Sequence, residues 1–328
     1  MEERSGVVDV TGGRVWYRRL GQGSGLPLLI VHGGPGAASY YLEPFAERMA
    51  SSGPVVIYDQ LGCGRSERPD DTSLWTIDRS CRELDEVRRA LGLEECHLLG
   101  QSWGGWLSIE YLARGTEGIK SVVLASTSAS IPEFVGEARR LIGAMPEPWR
   151  STLIRLGARG AYDDPEYLQA VAEFYRLHMC RIDPYPECVA RSLSQLPNQV
   201  YLTINGPTEF DVIGHLRTWD RSADLGRITM PTLVTVGRWD EITPSCAQTL
   251  VDGIAGAQLA VFEESGHMAH EEEPERYAAV VTAFLDGVDE ARRPGAAALG
   301  RKEVVHLSGQ LSNLRHELKR LFESQRNA

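Results

Sequence analysis

One pentapeptide of this chain has the pattern expected of a serine nucleophile. It reads Gly100-Gln-Ser-Trp-Gly104, with the spacing G-x-S-x-G. The apolar run Cys96–Leu99 directly before it predicts a buried strand, and the residues from Trp103 to Ala113 predict a helix. A serine on such a sharp strand-to-helix turn is exposed above the sheet, and the flanking glycines are needed because side chains would clash in so tight a turn. The pattern therefore predicts that Ser102 is the nucleophile of an acyl-transfer reaction.

Two further side chains are placed to activate Ser102. A serine needs a base to take its proton, and the base needs an acid to orient it; here both should follow the serine along the chain, each after a strand. Asp240 comes shortly after one predicted strand, and His267 comes after the next one. His270 lies in the same loop but opens an acidic stretch, so we expect it to cap a helix or face solvent. We predict a triad of Ser102, Asp240 and His267.

Backbone N–H groups that could stabilise an oxyanion are predicted at two places. One donor should be the residue after the nucleophile, here Trp103, and the other should come from the loop after an earlier strand. That loop reads His32-Gly-Gly-Pro-Gly36 and follows the apolar run Pro27–Val31. Glycines let the backbone approach a substrate carbonyl without an intervening Cβ atom, and we assign the second donor to Gly34. The loop lacks the Lys-Ser/Thr pair of a phosphate-binding loop.

The elements that must position these residues alternate between strand and helix. The predicted strands are 6–11, 14–20, 27–31, 55–59, 96–99, 122–125, 231–237 and 258–262, and the predicted helices are 39–52, 77–91, 103–113, 245–253 and 274–285. Such alternation indicates a mostly parallel sheet with helices on both faces. Together with the places of the triad candidates, it predicts the α/β-hydrolase fold.

The alternation stops between residues 131 and 220. This stretch has helical patterns broken by prolines and no strong strand, so we expect a helical lid, or cap domain, inserted into an α/β-hydrolase core made of residues 1–130 and 221–287. Residues 288–328 are expected to form a linker and a C-terminal amphipathic helix, because apolar residues from Val304 onward recur at steps of three and four. That helix either packs on the body of the protein or joins two copies into a homo-oligomer.

Composition and charge disfavour several classes of function. The 328 residues carry 34 Lys and Arg against 45 Asp and Glu, a net charge of −11, so neither nucleic acid nor an anionic membrane surface is an expected partner. No apolar stretch is long enough to span a membrane, and the N-terminus has no secretory signal pattern. The six cysteines are scattered without a C-x-x-C pair, which favours reduced thiols over structural zinc. We therefore expect a cytoplasmic protein that uses no metal or other cofactor.

Four segments together resemble the proline iminopeptidase family of α/β hydrolases. They are His32-Gly-Gly-Pro-Gly36, Asp59-Gln-Leu-Gly-Cys-Gly-Arg-Ser66, Gly100-Gln-Ser-Trp-Gly-Gly105 and Gly237-Arg-Trp-Asp-Glu-Ile-Thr-Pro244. H-G-G-P-G combined with a serine at the elbow is the usual mark of that family, and the resemblance covers about residues 6–285. It implies an enzyme that hydrolyses peptides or aminoacyl amides.

The resemblance also implies how the amine of the substrate is bound. In the family, a lid segment N-G-P-x-E-F supplies one glutamate, and a second glutamate directly follows the catalytic aspartate. Here the segment is Asn205-Gly-Pro-Thr-Glu-Phe210, so the implied amine-binding residues are Glu209 and Glu241. Two fixed carboxylates suit an ammonium group with three donors and would reject an acylated amine. Otherwise, Glu209 would be a surface residue and Glu241 a charge at a helix N-terminus.

These residues predict a serine hydrolase that removes an N-terminal aminoacyl residue, proline or another small or hydrophobic one, from a peptide or amide. Its substrate would be a small peptide or aminoacyl amide with a free amine. Two other hydrolytic functions stay open: an amidase of secondary metabolism that removes an aminoacyl protecting group from a biosynthetic intermediate, and a carboxylesterase. A non-enzymatic binding protein of this fold is disfavoured, because such proteins typically lack a triad residue.

Overall fold

Residues 3–292 are described in the computed structural model of this chain, and eight strands occur among them. The strands are β1 Glu3–Val10, β2 Gly13–Leu20, β3 Leu28–Val31, β4 Val55–Tyr58, β5 Cys96–Gln101, β6 Ile119–Ala125, β7 Thr232–Gly237 and β8 Gln258–Phe262. The helices are α1 Glu43–Met49, α2 Ile77–Ala90, α3 Trp103–Ala113, α4 Ile131–Ala144, α5 Trp149–Gly157, α6 Pro165–His178, α7 Glu187–Ser194, α8 Asn198–Ile204, α9 Pro244–Gly253, α10 Ala269–Glu272 and α11 Pro274–Arg292. Short 3-10 helices lie at Tyr40–Leu42, Thr72–Leu74, His215–Thr218 and Ser222–Arg227.

All eight strands join one sheet in the order β1-β2-β4-β3-β5-β6-β7-β8. The first two strands form an antiparallel hairpin, and β2 also pairs antiparallel with β4. Every pairing from β4 through β3 to β8 is parallel, so the carboxyl ends of these six strands meet at one edge of the sheet. This topology confirms the predicted α/β-hydrolase sheet, and it brings the loops after β3, β5, β7 and β8 to the same edge.

The central strands form because their side chains are apolar on both faces. Strands β3 and β4 read LLIV and VVIY, and every residue in them is buried. Helix α3 is buried along its whole length, whereas α2 is amphipathic and buries Leu84 and Val87 together with the charged Arg79 and Glu83. Burial of both sheet faces by helices is the arrangement that continuous apolar strands require. The loops that carry the candidate residues therefore extend from a sheet that is packed on both faces.

A purely helical stretch is inserted between β6 and β7. Helices α4 to α8 lie in it, and residues 126–231, all of which are described, contain no strand. The chain enters and leaves this stretch side by side, since Ser130 and Asp220 form an antiparallel bridge and Arg221 N–H donates to Ala129 O at 2.8 Å. The chain up to Leu285 nevertheless forms one compact unit, so a separate cap domain over residues 131–220 stays a prediction.

A second unit begins at Asp286, and of it the structure describes only the helical residues up to Arg292. The expected linker from residue 288 is therefore wrong in its first few residues, which continue helix α11. The predicted amphipathic helix from Val304 onward, and the homo-oligomer it was expected to join, lie outside the described residues.

Several predicted boundaries differ from those observed. The predicted helix over 39–52 is split into the 3-10 helix Tyr40–Leu42 and α1, which places Pro44 in the first turn of α1, where its missing N–H costs nothing. Strands β1 and β6 each begin three residues earlier than predicted, because Glu3 and Ile119 still pair with their neighbouring strands. Among residues 3–292, no helix is both long and apolar enough to cross a membrane.

Candidate active site

The candidate nucleophile stands on a strained turn at the carboxyl end of β5. Ser102 has φ 56° and ψ −121°, a conformation that non-glycine residues rarely adopt, and α3 starts at the next residue. Its N–H donates to Ala125 O at 2.9 Å, which fixes the turn against β6. The neighbouring Gly104 must lack a side chain, because a Cβ atom there would lie 2.2 Å from Val31 O. This is the geometry expected of a nucleophile elbow.

The candidate base and acid are directly hydrogen-bonded to each other. His267 Nδ1–H donates to Asp240 Oδ1 at 2.7 Å, and both residues are almost fully buried, at 4% and 1% exposure. The Ile242 N–H donates to the same Asp240 oxygen at 2.8 Å, which helps to fix the carboxylate. The loops after β7 and β8 are joined as well, since Trp239 N–H donates to Ser265 O at 2.9 Å. The imidazole is thereby held through Nδ1, which leaves Nε2 as the atom that can exchange a proton with a nucleophile.

One pocket brings most of the predicted residues together. Its lining residues are Gly34, Ala37, Tyr41, Gln101, Ser102, Met179, Val189, Ser192, Leu193, Leu196, Glu209, Glu241, His267 and Met268. Apolar side chains from α7 and the segment after it line one part, and two glutamates line another. Such a pocket can hold an apolar group and a cation at the same time.

The two pocket glutamates are held in different ways. Glu209 is partly buried, and its Oε1 accepts a hydrogen bond from Tyr201 Oη at 2.7 Å. Glu241 is 1% exposed, and its buried Oε2 has no hydrogen-bond partner among the described residues. Burial raises the pKa of both carboxyl groups; at Glu241 the His267 charge opposes this rise and the Glu209 charge adds to it. A buried carboxylate oxygen without a donor is costly, and an ammonium group would relieve that cost.

The surrounding charges also act on His267. Burial alone would lower its pKa, but the Asp240 carboxylate, followed by Glu241 and Glu209, raises it to about 9. An imidazole with that pKa is mostly protonated near neutral pH, and only its neutral form can take a proton from Ser102. The charges around the pocket therefore determine what fraction of His267 is neutral and able to take the proton of Ser102.

The loop after β3 is shaped to present a backbone donor. Gly33 N–H donates to Tyr41 Oη at 2.6 Å, and that hydroxyl donates to Gln101 Oε1 at 2.5 Å, so Gly33 is already engaged. Gly34 has φ 115°, and a Cβ atom on it would lie 2.5 Å from Ala37 N. Only glycine fits this position. The arrangement suits Gly34 rather than Gly33 as the oxyanion donor beside Trp103, although both donor roles stay predictions.

Residues with no recognisable sequence signal join the inserted helices to the triad loops. His178 O accepts from His267 N–H at 2.9 Å, and His178 Nδ1–H donates to Trp239 O at 2.7 Å. The Glu272 carboxylate accepts from Arg181 N–H at 2.7 Å and from Gly266 N–H at 2.8 Å. The segment after α6 is therefore hydrogen-bonded to the loops on both sides of the His267–Asp240 pair.

The expectation for His270 is wrong. It is 2% exposed and packs at an angle against aromatic rings, with centroids 5.5 Å from Tyr41 and 5.9 Å from Tyr277. Burial, followed by the nearby His267, lowers its pKa to about 3, so the ring is neutral and part of the core. The three glutamates that follow it suggested an exposed helix start, but aromatic residues distant in sequence cover the imidazole.

Potential metal ligands and thiols are placed as follows in the described part of the chain. Residues 3–292 contain no group of three or more His, Cys, Asp or Glu side chains placed to hold a metal ion. All six cysteines lie in the described part and are free thiols, and Cys63, which falls in a loop near the pocket, is fully buried. Burial raises the pKa of the Cys63 thiol, which makes it a poor nucleophile.

Comparison with known proteins agrees with the fold and with the motifs. The family model for the α/β hydrolase fold matches residues 27–274. A proline iminopeptidase of Saccharolobus solfataricus is 39% identical over 286 residues, which cover 86% of this chain and 92% of that relative. The crystal structure of a proline iminopeptidase of Mycobacterium smegmatis has a TM-score of 0.83 at 37% identity and covers 88% of this chain and 100% of its own. The crystal structure of VinJ has a TM-score of 0.83 at 36% identity, over 87% and 99% of the two chains.

Proposed function

This chain belongs to the proline iminopeptidase family of α/β hydrolases, and we propose that it removes an N-terminal proline, or another small or hydrophobic aminoacyl residue, from a peptide or amide. The observation that carries the proposal is a single pocket lined by Ser102, by His267 and by the carboxylates Glu209 and Glu241. A nucleophile close to two carboxylates suits a substrate whose scissile carbonyl lies one residue from a free ammonium group.

In the acylation step, Ser102 Oγ attacks the carbonyl of the N-terminal residue. His267 takes the serine proton and then donates it to the leaving amine, and Asp240 holds the imidazole through the 2.7 Å hydrogen bond to Nδ1–H. The departing amine leaves an ester between Ser102 and the aminoacyl group. Water then attacks this ester with His267 as base, which releases the amino acid and restores the serine.

The negative oxygen that develops on the carbonyl needs fixed donors. We assign this role to the backbone N–H groups of Gly34 and Trp103. Donors fixed in advance cost no reorganisation when the charge appears, and the loss of one typically lowers kcat by about 10²–10³-fold. No step requires a metal ion or an organic cofactor.

Glu209 and Glu241 would bind the substrate ammonium. The hydrogen bond from Tyr201 leaves the second oxygen of Glu209 available, and the buried Oε2 of Glu241 has no protein donor among residues 3–292. N-acylation of the substrate removes the charge and adds bulk where the carboxylates lie. Such a substrate would leave both glutamates in the pocket without a cation, which costs more than the lost contacts alone.

We further propose that residues 131–220 act as a lid on a core made of residues 1–130 and 221–287. The support is that Glu209 and the apolar wall from α7 come from this inserted stretch, whereas Ser102 and His267 come from the sheet edge. The protein would act in the cytoplasm on small peptides or aminoacyl amides and without nucleic acid. Six free thiols suit a reducing compartment.

The proposal is tested with a panel of aminoacyl p-nitroanilides that share one leaving group. Each substrate is offered with a free amine and with an N-acetyl group. Ser102→Ala is the inactive control, and Ser151→Ala, an exposed serine that does not line the pocket, is the matched one. We expect prolyl anilide to be cleaved, the acetylated form to be poor, and Ser102→Ala to lose roughly 10⁴-fold or more in kcat.

The panel is extended with aminoacyl amides of a bulky amine and with aminoacyl esters, so that each contrary outcome identifies a different error. Equal cleavage of free and acetylated substrates overturns amine recognition. Slow turnover of prolyl anilide beside fast turnover of another aminoacyl amide with a bulky amine favours the biosynthetic amidase. Esters that are cleaved faster than every amide favour a carboxylesterase. Full activity of Ser102→Ala refutes the serine mechanism.

A further inference from the structure

The segment Asp59–Ser66 matches the family pattern, yet the proposed mechanism gives it no role. It follows β4 and lies beside the loop that carries Gly34. Its second residue, Gln60, is only 4% exposed. A buried side-chain amide has to satisfy two N–H donors and one oxygen acceptor, so its partners are informative.

Gln60 contacts both halves of the oxyanion hole. Its side-chain Nε2 donates to His32 O at 2.8 Å, at the start of the loop that carries Gly34. Its Oε1 accepts from the indole Nε1–H of Trp103 at 2.9 Å. A carbonyl can only accept and an indole N–H can only donate, so these partners determine the orientation of the amide without ambiguity. One side chain thus joins the two segments whose backbone N–H groups must face the same oxygen.

The backbone of Gln60 adds a third connection to the same loop. Its N–H donates to His32 Nε2 at 2.9 Å, which requires that nitrogen to be unprotonated. The proton of the neutral ring therefore sits on Nδ1, which donates to Gly33 O at 2.9 Å. Burial lowers the pKa of His32 and keeps the ring neutral. The His32 ring is thereby locked between Gln60 and the glycine loop.

The segment that carries Gln60 is itself rigid. The buried Asp59 carboxylate accepts from Ser39 N–H at 2.8 Å and from both the backbone and the side chain of Arg65 at 2.8 Å each. Despite burial, the Arg65 guanidinium holds the pKa of Asp59 below its usual range, so the carboxylate stays charged. Cys63 Sγ also donates to Gln60 O at 3.0 Å. The amide therefore extends from a fixed base.

We propose that Gln60 is the positioning residue of the oxyanion hole, because its side-chain amide sets the separation between the Gly34 and Trp103 donors. This inference rests on the proposed function for the identity of those donors. Oxyanion donors must lie within about 2.7–3.1 Å of the developing charge, and a misplacement of about 1 Å can cost roughly 100-fold in rate. This connection from His32 O through the Gln60 amide to the Trp103 indole, here called the bridge, stabilises the transition state and does not change the binding of the substrate in its ground state.

Two single variants cut the bridge from opposite sides. Gln60→Glu keeps the size and the acceptor for the Trp103 indole but loses the donor to His32 O. Trp103→Phe keeps the backbone N–H but loses the donor to Gln60. The exposed Gln169→Glu, which adds the same charge elsewhere, is the matched control. The double variant of Gln60 and Trp103 tests whether the two act through one connection.

Three readouts separate positioning from general damage: kcat and KM for prolyl anilide, affinity for prolinal, and affinity for free proline. Prolinal adds reversibly to Ser102 and places a tetrahedral oxygen in the hole, whereas free proline forms no such adduct. We expect kcat and prolinal affinity to fall together by roughly 10-fold or more, with KM and proline affinity within about 2-fold of wild type. The double variant should lose little more than the worse single one.

Several results would overturn the proposal. They are unchanged kcat and prolinal affinity, a parallel loss of proline affinity, or additive losses in the double variant. If Gln60→Glu does not fold, as judged by its melting curve, Trp103→Phe decides alone. Hydrolysis of p-nitrophenyl acetate separates this test from the proposed function, since the ester needs the hole but no amine. If all variants keep the wild-type rate on the ester, the bridge has no positioning role, whatever the peptide specificity.

Discussion

Replacement of Glu209 by glutamine isolates the charge that we assign to amine binding. The two side chains have the same shape, and the amide oxygen of glutamine can still accept the hydrogen bond that Tyr201 Oη makes at 2.7 Å to Glu209 Oε1. The N–H of residue 209 also keeps its bond to Tyr175 Oη at 3.3 Å. We therefore expect Glu209→Gln to fold and melt like wild type while its pocket loses one carboxylate.

The size of the effect follows from the type of contact that is lost. A hydrogen bond between an ammonium and a carboxylate contributes about 1.5–3 kcal/mol. Since about 1.4 kcal/mol corresponds to a tenfold change in rate, we expect kcat/KM for prolyl anilide to fall by about 10- to 150-fold. The remaining Glu241 sustains part of the binding, so a variant with both glutamates replaced should lose more than either single variant.

Initial rates on L-prolyl p-nitroanilide and its N-acetyl derivative measure this effect. Competitive inhibition by free proline reports amine binding without chemistry. The exposed Glu264→Gln removes a charge close to His267 in sequence but not from the pocket, so it should behave as wild type. The ratio of free to acetylated rates should collapse only in Glu209→Gln. If Glu209→Gln lowered the rates on both substrates equally, or changed neither rate by more than about 2-fold, Glu209 would not recognise the amine.

Three further outcomes follow from the geometry. Gly104→Ala should lower the free energy of unfolding by about 3 kcal/mol or more in a urea melt, because its Cβ would lie 2.2 Å from Val31 O. Gly136→Ala, in open space on α4, should instead raise that free energy by about 0.5–1 kcal/mol. Equal effects of the two substitutions would contradict the packing argument. Only neutral His267 can act as base, so kcat/KM for p-nitrophenyl acetate, which carries no amine, should rise with pH through the His267 pKa of about 9. The acid limb of kcat for prolyl anilide should lie at lower pH, because the bound ammonium opposes protonation of His267; a kcat limb at the same or higher pH would refute this. Glu272→Ala leaves two backbone N–H groups without their acceptor and should cost about 1–3 kcal/mol of stability; an unchanged melt would show that water replaces it.

The triad candidates were readable from sequence because each obeys a local rule. A tight strand-to-helix turn requires glycines on both sides of the serine, and the short distance from Gly104 to Val31 O shows why. Asp240 and His267 follow adjacent parallel strands, and parallel strands carry their carboxyl ends to one edge of the sheet. Order along the chain was therefore enough to predict that the two would meet.

Other contacts could not be predicted because they join segments that no periodic pattern relates. Glu209 lies in the inserted stretch after α8, and only the resemblance to a known family pointed to it. His178 and Glu272 bond mainly to backbone groups of distant loops, and such partners leave no residue-type signature. The His270 prediction failed for a related reason: local acidity suggested an exposed helix start, while the ring packs among aromatic side chains from distant segments.

The two carboxylates to which we assign amine recognition also act on the candidate base. Glu241 and Glu209 add to the effect of Asp240 on His267, whose pKa of about 9 keeps the imidazole largely protonated at neutral pH. A substrate ammonium between the two glutamates offsets their charge, so a larger fraction of His267 is neutral in the complex than in the free enzyme. An N-acylated substrate brings no positive charge and leaves the base protonated even when it fits the pocket. If the two glutamates select a free amine as we propose, that selection acts on the chemical step as well as on binding, and N-acetylation should lower kcat in addition to raising KM.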